Sequence, residues 1–259
     1  MAIKAVIFDL DGTLFLGDKA IEGAVETITV LERDGYRVFY LTNNSGKSWQ
    51  SIINKLVRLG FAAHARNTYC GSYAIAAYLT ENNLVSVFAV GSDGLLADLM
   101  RWNLKVLWSS NVAAVVVGLD LDFSYSKITT ALRAIHNGAK LVVANVDANY
   151  PAGDGEILPG CGAMVGAIVG ATGHAPDFHV GKPNAYMLEL LCKEHGLSPD
   201  EICVVGDVPE SDIAMADNFG CQGILFDPED VYTTFSGAKV KWLFEIIPLL
   251  KNQERRTRR

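Results

Sequence analysis

The sequence predicts an α/β fold, a doubly wound parallel sheet into which a second, smaller α/β domain is inserted. Two observations lead there first. Four short apolar runs, each closed by a polar or acidic residue, have the unbroken hydrophobicity of strands buried on both faces. Among them lie segments whose apolar residues recur every three or four positions, and strands alternating with helices build a parallel sheet covered by helices. The third observation is that the middle of the chain repeats this pattern separately.

The runs are Ala5-Val6-Ile7-Phe8 before Asp9, Val38-Phe39-Tyr40-Leu41 before Thr42, Ile202-Cys203-Val204-Val205 before Gly206-Asp207, and Gly223-Ile224-Leu225-Phe226 before Asp227. Ile21, Val25, Ile28 and Leu31 predict a helix that stops at Gly35. Pro183 opens a second, carrying Met187, Leu190 and Leu191 and stopping at Gly196. Ligands of such sheets bind beyond the carboxyl ends of the strands, where Asp9, Thr42 and Asp207 are expected. The middle predicts strands at 85–90, 113–117 and 141–144, and a helix over 126–137 closed by Gly138. Candidate site residues flank it on both sides, so it reads as an insertion. A discontinuous first domain spans 1–70 plus 179–259, and an inserted one spans 71–178, with edges near 68–71 and 173–180.

Composition narrows the function classes. Of 259 residues, 50% are hydrophobic and 20% charged, and no apolar run approaches the roughly 20 residues of a membrane helix, so a soluble globular chain without membrane partners is expected. The start reaches Asp9 before a signal-peptide hydrophobic region forms, which predicts a cytoplasmic protein. A net charge of −7 argues against nucleic acid as a partner, because such binders need cations to neutralise phosphates. The end, Lys251 to Arg259, is a basic exception, expected as a frayed, solvated tail. Five scattered cysteines form neither CxxC nor Cys/His zinc spacing, and five scattered histidines offer neither a zinc pair nor a Ser/His/Asp set. Gly160-Cys161-Gly162 lacks dinucleotide-loop spacing and follows Pro159 rather than a strand, and no Walker A sequence is present.

The chemistry concentrates at Asp9-Leu10-Asp11-Gly12-Thr13-Leu14. Two acids two residues apart at the end of an apolar strand share one face of an extended chain, so both carboxylates can face one pocket. Three more segments follow in order: Leu41-Thr42-Asn43-Asn44, Gly181-Lys182-Pro183, and Val205-Gly206-Asp207 with Ser211-Asp212. Together the four resemble the motifs of the haloacid dehalogenase (HAD) superfamily of phosphohydrolases. The insertion, with Asn145-Val146-Asp147 and Leu158-Pro159-Gly160, resembles the α/β type-2 cap of its NagD-like (4-nitrophenylphosphatase-like) branch. The likeness extends over the chain to about Leu250.

The resemblance implies an HAD-like Rossmannoid core and a hydrolase of small phosphate monoesters, of nucleotide, phosphoglycolate, sugar phosphate or 4-nitrophenyl phosphate type. Asp9 would be the nucleophile that forms an aspartyl-phosphate, splitting one hard step into two. A carboxylate repels a phosphate dianion unless a hard cation lies between them. The resemblance therefore implies Mg²⁺, held by Asp9, the backbone carbonyl of Asp11, and Asp207, with Asp212 orienting a water on the metal. The Asp11 side chain would be acid and base. Thr42, Asn43 and Asn44 would donate to phosphate oxygens, and Lys182 would offset the charge of the dianion. In the cap, Asn145, Asp147 and Tyr150 would touch the leaving group, and caps of this kind can form homo-oligomer interfaces. Asp11 and Asp207 argue against the metal-free dehalogenase reaction. A phosphoryl-transfer mutase and a non-catalytic phosphate-binding regulator remain as alternatives. Glu210 and Ser211 stand where the branch commonly has Asp and Thr, and Val208-Pro209 replaces a polar pair, which bears on rate and metal affinity rather than on reaction class.

Overall fold

The computed structural model describes residues 2–151 and 156–257, with the backbone alone for Pro151 and 252–257. In chain order the elements are β1 (Ala5–Phe8), β2 (Phe15–Leu16), β3 (Lys19–Ala20), α1 (Ala24–Arg33), β4 (Arg37–Thr42), α2 (Trp49–Arg58), β5 (Thr68–Cys70), α3 (Gly71–Glu81), β6 (Ser86–Val90), α4 (Asp93–Arg101), β7 (Lys105–Val106), β8 (Ala114–Val117), α5 (Tyr125–His136), β9 (Lys140–Val143), β10 (Asn149–Pro151), β11 (Ile157–Pro159), α6 (Cys161–Thr172), β12 (Phe178–His179), α7 (Tyr186–His195), β13 (Ile202–Gly206), α8 (Ala214–Phe219), β14 (Gln222–Phe226), β15 (Lys239–Val240) and α9 (Ile246–Thr257). They form two compact units, 1–42 with 53–69 and 182–259, and 43–52 with 70–181. Among the described residues no helix is long and apolar enough to cross a membrane.

The first unit is built on a six-stranded sheet in the order β15-β14-β13-β1-β4-β5. β1 pairs in parallel with β13 on one side and β4 on the other, Phe8 standing beside both Val205 and Tyr40. Every residue of β1 and β13 is buried, as the unbroken apolar runs require. From β1 the chain winds outward through β4 and β5, and later resumes at β13 on the opposite side. Strand order therefore reverses between β1 and β13, and a crevice for ligand opens at such a reversal. α1 buries Ala24, Thr27, Ile28 and Leu31, a stripe at helical spacing. It starts at Ala24 rather than near Ile21 because Gly23, at φ +76°, sits in the left-handed region before it. α7 likewise begins at Tyr186, where the Asn184 carboxamide accepts the Tyr186 N–H at 2.9 Å, and not at Pro183.

The second unit has a five-stranded sheet, β12-β9-β8-β6-β7, whose strands pair in parallel, and a two-stranded ribbon of β10 and β11. The Gly- and Ala-rich stretch after Pro159, which carried no helix expectation, forms α6. Cys161, Met164, Val165 and Ile168 are its buried face, and Gly173 at φ +66° ends it. Residues 43–52 group with this unit although they precede the expected edge near 70. The Ser45 hydroxyl accepts the Leu119 N–H at 3.0 Å, and the Asp98 carboxylate accepts the Trp49 N–H at 2.7 Å, which binds the segment there. The basic end departs from the frayed tail expected of it: α9 runs to Thr257, and Lys251 pairs with Asp34 at 2.6 Å. The side chains beyond Lys251 lie outside the described residues.

Candidate active site

Parallel register sets the site. Asp9 follows β1, and its N–H donates to the Val205 carbonyl at 2.9 Å. Thr42 ends β4 and Asp207 follows β13, so all three emerge from one edge of the sheet, at the strand reversal. Asp9, Asp207 and Asp212 each offer a carboxylate oxygen within 4.8 Å of the other two. Such a cluster of hard oxygen donors suits a divalent cation. The Asp11 side chain is not one of the three and is exposed, which leaves its carboxyl available for proton transfer.

Lys182 is buried between two of these acids. Its ammonium donates to Asp9 through a short contact and to Asp212 at 2.6 Å, and all three side chains are buried. Burial alone would lower the lysine's pKa, but Asp212 and Asp9 overcome it and hold the ammonium above its ordinary value. Burial pushes Asp9 well above the usual carboxylate range, and the like charges of Asp212 and Asp207 add to it against the pull of Lys182. Asp207 is raised for the same first reason, desolvation, with Asp212 adding to it, while a hydrogen bond from the Thr13 hydroxyl at 2.9 Å opposes the rise. Although the Asp11 residue is exposed, the groups packed around its carboxyl desolvate it enough to raise its pKa, against the opposing pull of Lys55 and Lys182. Burial and mutual repulsion raise both Asp9 and Asp207, and a cation among them would relieve that repulsion.

Two glycines let the carboxylates approach the backbone. A Cβ at Gly206 would lie 2.2 Å from the Asp212 carboxyl carbon. At Gly12 it would lie 2.3 Å from an Asp207 oxygen, and Gly12 also holds φ +92°. Gly12→Ala is therefore expected to lose about 2–4 kcal/mol, the sum of left-handed strain and overpacking. Urea denaturation measures it, and a loss within about 0.5 kcal/mol, the scale of an inert surface change, would show that the loop relaxes freely. The departure segment Pro209–Ile213 forms a single π-helical turn with Pro at its start, and the Asp212 carboxylate accepts the Val208 N–H at 3.0 Å within it. Val208-Pro209 thus fixes the turn that aims Asp212 at Lys182.

The remaining expected site residues fall in the second unit. Asn43 donates to the Asp147 carboxylate at 3.1 Å and accepts, through its backbone carbonyl, the Asn145 side-chain N–H at 2.9 Å. Asn145 also steadies Asp147 by accepting its N–H at 3.1 Å. The Asn44 carboxamide oxygen accepts the N–H groups of Gly46 and Lys47, both at 3.1 Å, a turn-forming role. Gly181 is needed where it stands, since a Cβ would lie 2.5 Å from the Ala144 carbonyl. Tyr150 is half-buried in the β10–β11 ribbon beside Leu158. Sequence reasoning gave no role to Thr13, although it lies inside the first motif, and passed over Lys55, which no motif marks.

A Rossmannoid α/β core with a carboxylate cluster at its strand reversal fits a phosphoryl-handling hydrolase, and comparison with known proteins puts the chain in that class. The family profile described as "Haloacid dehalogenase-like hydrolase" matches residues 6–105, and a second HAD hydrolase-like profile matches 179–229. The chain is 34% identical over 248 residues to phosphoglycolate phosphatase 1A, chloroplastic, of Arabidopsis thaliana, covering 86% of this chain and 68% of that protein. It is 33% identical over 222 residues to the acid sugar phosphatase of Staphylococcus aureus (strain USA300), covering 85% of each. The solved p-nitrophenyl phosphatase from Archaeoglobus fulgidus superposes with a TM-score of 0.90 at 26% identity, over 96% of this chain and 100% of that one. The chain belongs to the haloacid dehalogenase-like hydrolases, in their NagD-like phosphatase branch.

Proposed function

We propose that the protein hydrolyses small phosphate monoesters with Mg²⁺, through an aspartyl-phosphate on Asp9. What supports this most is the convergence of Asp9, Asp207 and Asp212 within 4.8 Å around the buried Lys182 ammonium. Mg²⁺, held by Asp9, Asp207 and the Asp11 backbone carbonyl with Asp212 beside them, would offset the charge of the phosphate and of the carboxylate that attacks it.

The residues then divide the work. An Asp9 carboxylate oxygen attacks phosphorus while the bond to the leaving oxygen breaks, and Asp11 delivers a proton to that oxygen. Asp11 then accepts a proton from the water that cleaves the aspartyl-phosphate, regenerating Asp9 and releasing inorganic phosphate. Lys182 steadies the Asp9 carboxylate and the negative charge that gathers on the transferring phosphoryl group. The Thr42 hydroxyl and the amides of Asn43 and Asn44 bind phosphate oxygens. Asp11 suits both proton steps because desolvation of its carboxyl raises its pKa while the charges of Lys55 and Lys182 oppose the rise. Selection of the leaving group is assigned to the inserted domain, 71–178, through Asn145, Asp147 and Tyr150. The relatives' names point to phosphoglycolate, sugar phosphates and 4-nitrophenyl phosphate as the substrates to try first.

Release of inorganic phosphate from a panel of these esters, with Mg²⁺ and with chelator, tests the reading. Turnover is expected to fall at least about a hundredfold with chelator, since a cation at the developing charge is worth several kcal/mol. Turnover indifferent to chelator would remove the metal from the mechanism.

A further inference from the structure

Lys55 stands on α2, outside every motif. Its ammonium lies 3.8 Å from the centroid of the Phe15 ring, a cation–π contact that holds a half-buried charge in place. Phe15 is itself buried and bridged to Asp11, and its carbonyl accepts the Gly12 N–H at 2.9 Å, so the ring is fixed to the loop that carries Asp11. The Lys55 charge acts directly on the Asp11 carboxyl. Among the described residues no carboxylate lies within ion-pair distance of Lys55, whereas Lys182 is held by two. The first unit's site thus has two cations with separate surroundings. Lys182 is buried against Asp9 and Asp212, and Lys55 is half-open beside Asp11.

We infer that Lys55 is a specificity residue that selects phosphate monoesters whose leaving group carries a carboxylate, the phosphates of small hydroxy acids. The inference rests on the phosphatase reading and on Asp11 as the group that protonates the leaving oxygen. A cation next to Asp11 is then a cation next to the leaving group. The charge balance favours such a cation for this substrate class. Asp9, Asp11, Asp207 and Asp212 give the site four acids, against which a divalent cation with Lys182 sets three positive charges, so the site is short of positive charge once a phosphate enters. A second negative group on the substrate would deepen that deficit, and on the side of the leaving group Lys55 is placed to offset it. A neutral leaving group has no use for this charge. The aromatic face below the ammonium limits where it can go, so its attraction is aimed rather than diffuse.

The experiment compares 2-phosphoglycolate with 2-hydroxyethyl phosphate, which has nearly the same size and a neutral hydroxymethyl group in place of the carboxylate. The readout is the ratio of the two kcat/KM values, so any general effect on Asp11 or on folding cancels. In Lys55→Gln the ratio is expected to fall at least tenfold, mainly through KM for the charged ester. Lys55→Met, which keeps an apolar side chain of similar reach beside Phe15, is expected to lower the ratio equally, and Lys55→Arg to hold most of the wild-type ratio. Raising ionic strength should narrow the wild-type ratio, a check that needs no variant. An unchanged ratio in folded Lys55→Gln and Lys55→Met overturns the assignment of Lys55. Release of phosphate from neither ester by the wild type, with 4-nitrophenyl phosphate also untouched, overturns the phosphatase reading itself.

Discussion

Replacing Asp9 by Asn removes phosphate release, with an expected loss on the order of 10³-fold or more, the scale on which nucleophile knock-outs act. The carboxamide is nearly isosteric and its oxygen still accepts from Lys182, so the change removes the nucleophile while keeping the contact. Stability should hold or rise. Asp9 is one of three carboxylates packed within 4.8 Å, burial and its two acidic neighbours push it well above the usual carboxylate range, and a neutral Asn relieves that repulsion. Divalent cation binding should weaken yet persist through Asp207 and Asp212. The measurement is single-turnover phosphate release beside a thermal melt with and without Mg²⁺. A folded, cation-binding Asp9→Asn that retains wild-type turnover would assign the nucleophile elsewhere and bring the binding-protein or transfer readings forward.

How much of this was legible in the sequence follows from which features are local. The apolar runs of β1, β4 and β13 and the polar residue closing each are local, so the sheet and the edge that carries Asp9, Thr42 and Asp207 could be read directly. Asp212 could be placed near them because a single turn separates it from Asp207. The grouping of 43–52 could not, since it depends on Leu119 and Asp98, far away in sequence. The β2–β3 hairpin, two residues per strand, is too short to leave a periodic signal. α6 was hidden by its composition: a helix of Gly, Ala and apolar residues with no polar face shows no 3.6-residue alternation. Lys55 reads as an ordinary charge on an amphipathic helix until Phe15 is seen beneath it. Motifs reveal residues that bond locally or recur by type, and they leave out those defined only by a neighbour brought in by the fold.

Lys182→Met should cost both activity and stability, and the two losses answer differently to pH and to cation. The methionine fills much of the stem volume but leaves Asp9 and Asp212 buried without their shared partner. Removing one member of a buried ion pair costs about 3–5 kcal/mol, because the remaining charge stays desolvated. The sign with pH follows from the folded-state proton affinities. Asp9 already lies well above its ordinary value of 3.8, and losing the lysine raises it further. A carboxyl raised on folding binds its proton more tightly in the native state. Its stabilising effect is fully present below about 3.8 and is lost as pH rises through the folded-state value. The deficit of Lys182→Met against wild type should therefore be largest at neutral pH and shrink toward pH 4, as read by urea midpoints across that range. Saturating Mg²⁺ should restore part of the neutral-pH deficit, since a ligand that binds only the native state stabilises it by mass action. Turnover should not return with it. The charge on the transferring phosphoryl group loses a preorganised ammonium, a loss on the order of 10²–10³-fold. Stability recovering with Mg²⁺ while turnover stays low would separate the two roles of Lys182, holding the acids together and holding the transition-state charge. A variant as stable as wild type at neutral pH without added cation would instead mean that the buried acids need no lysine between them.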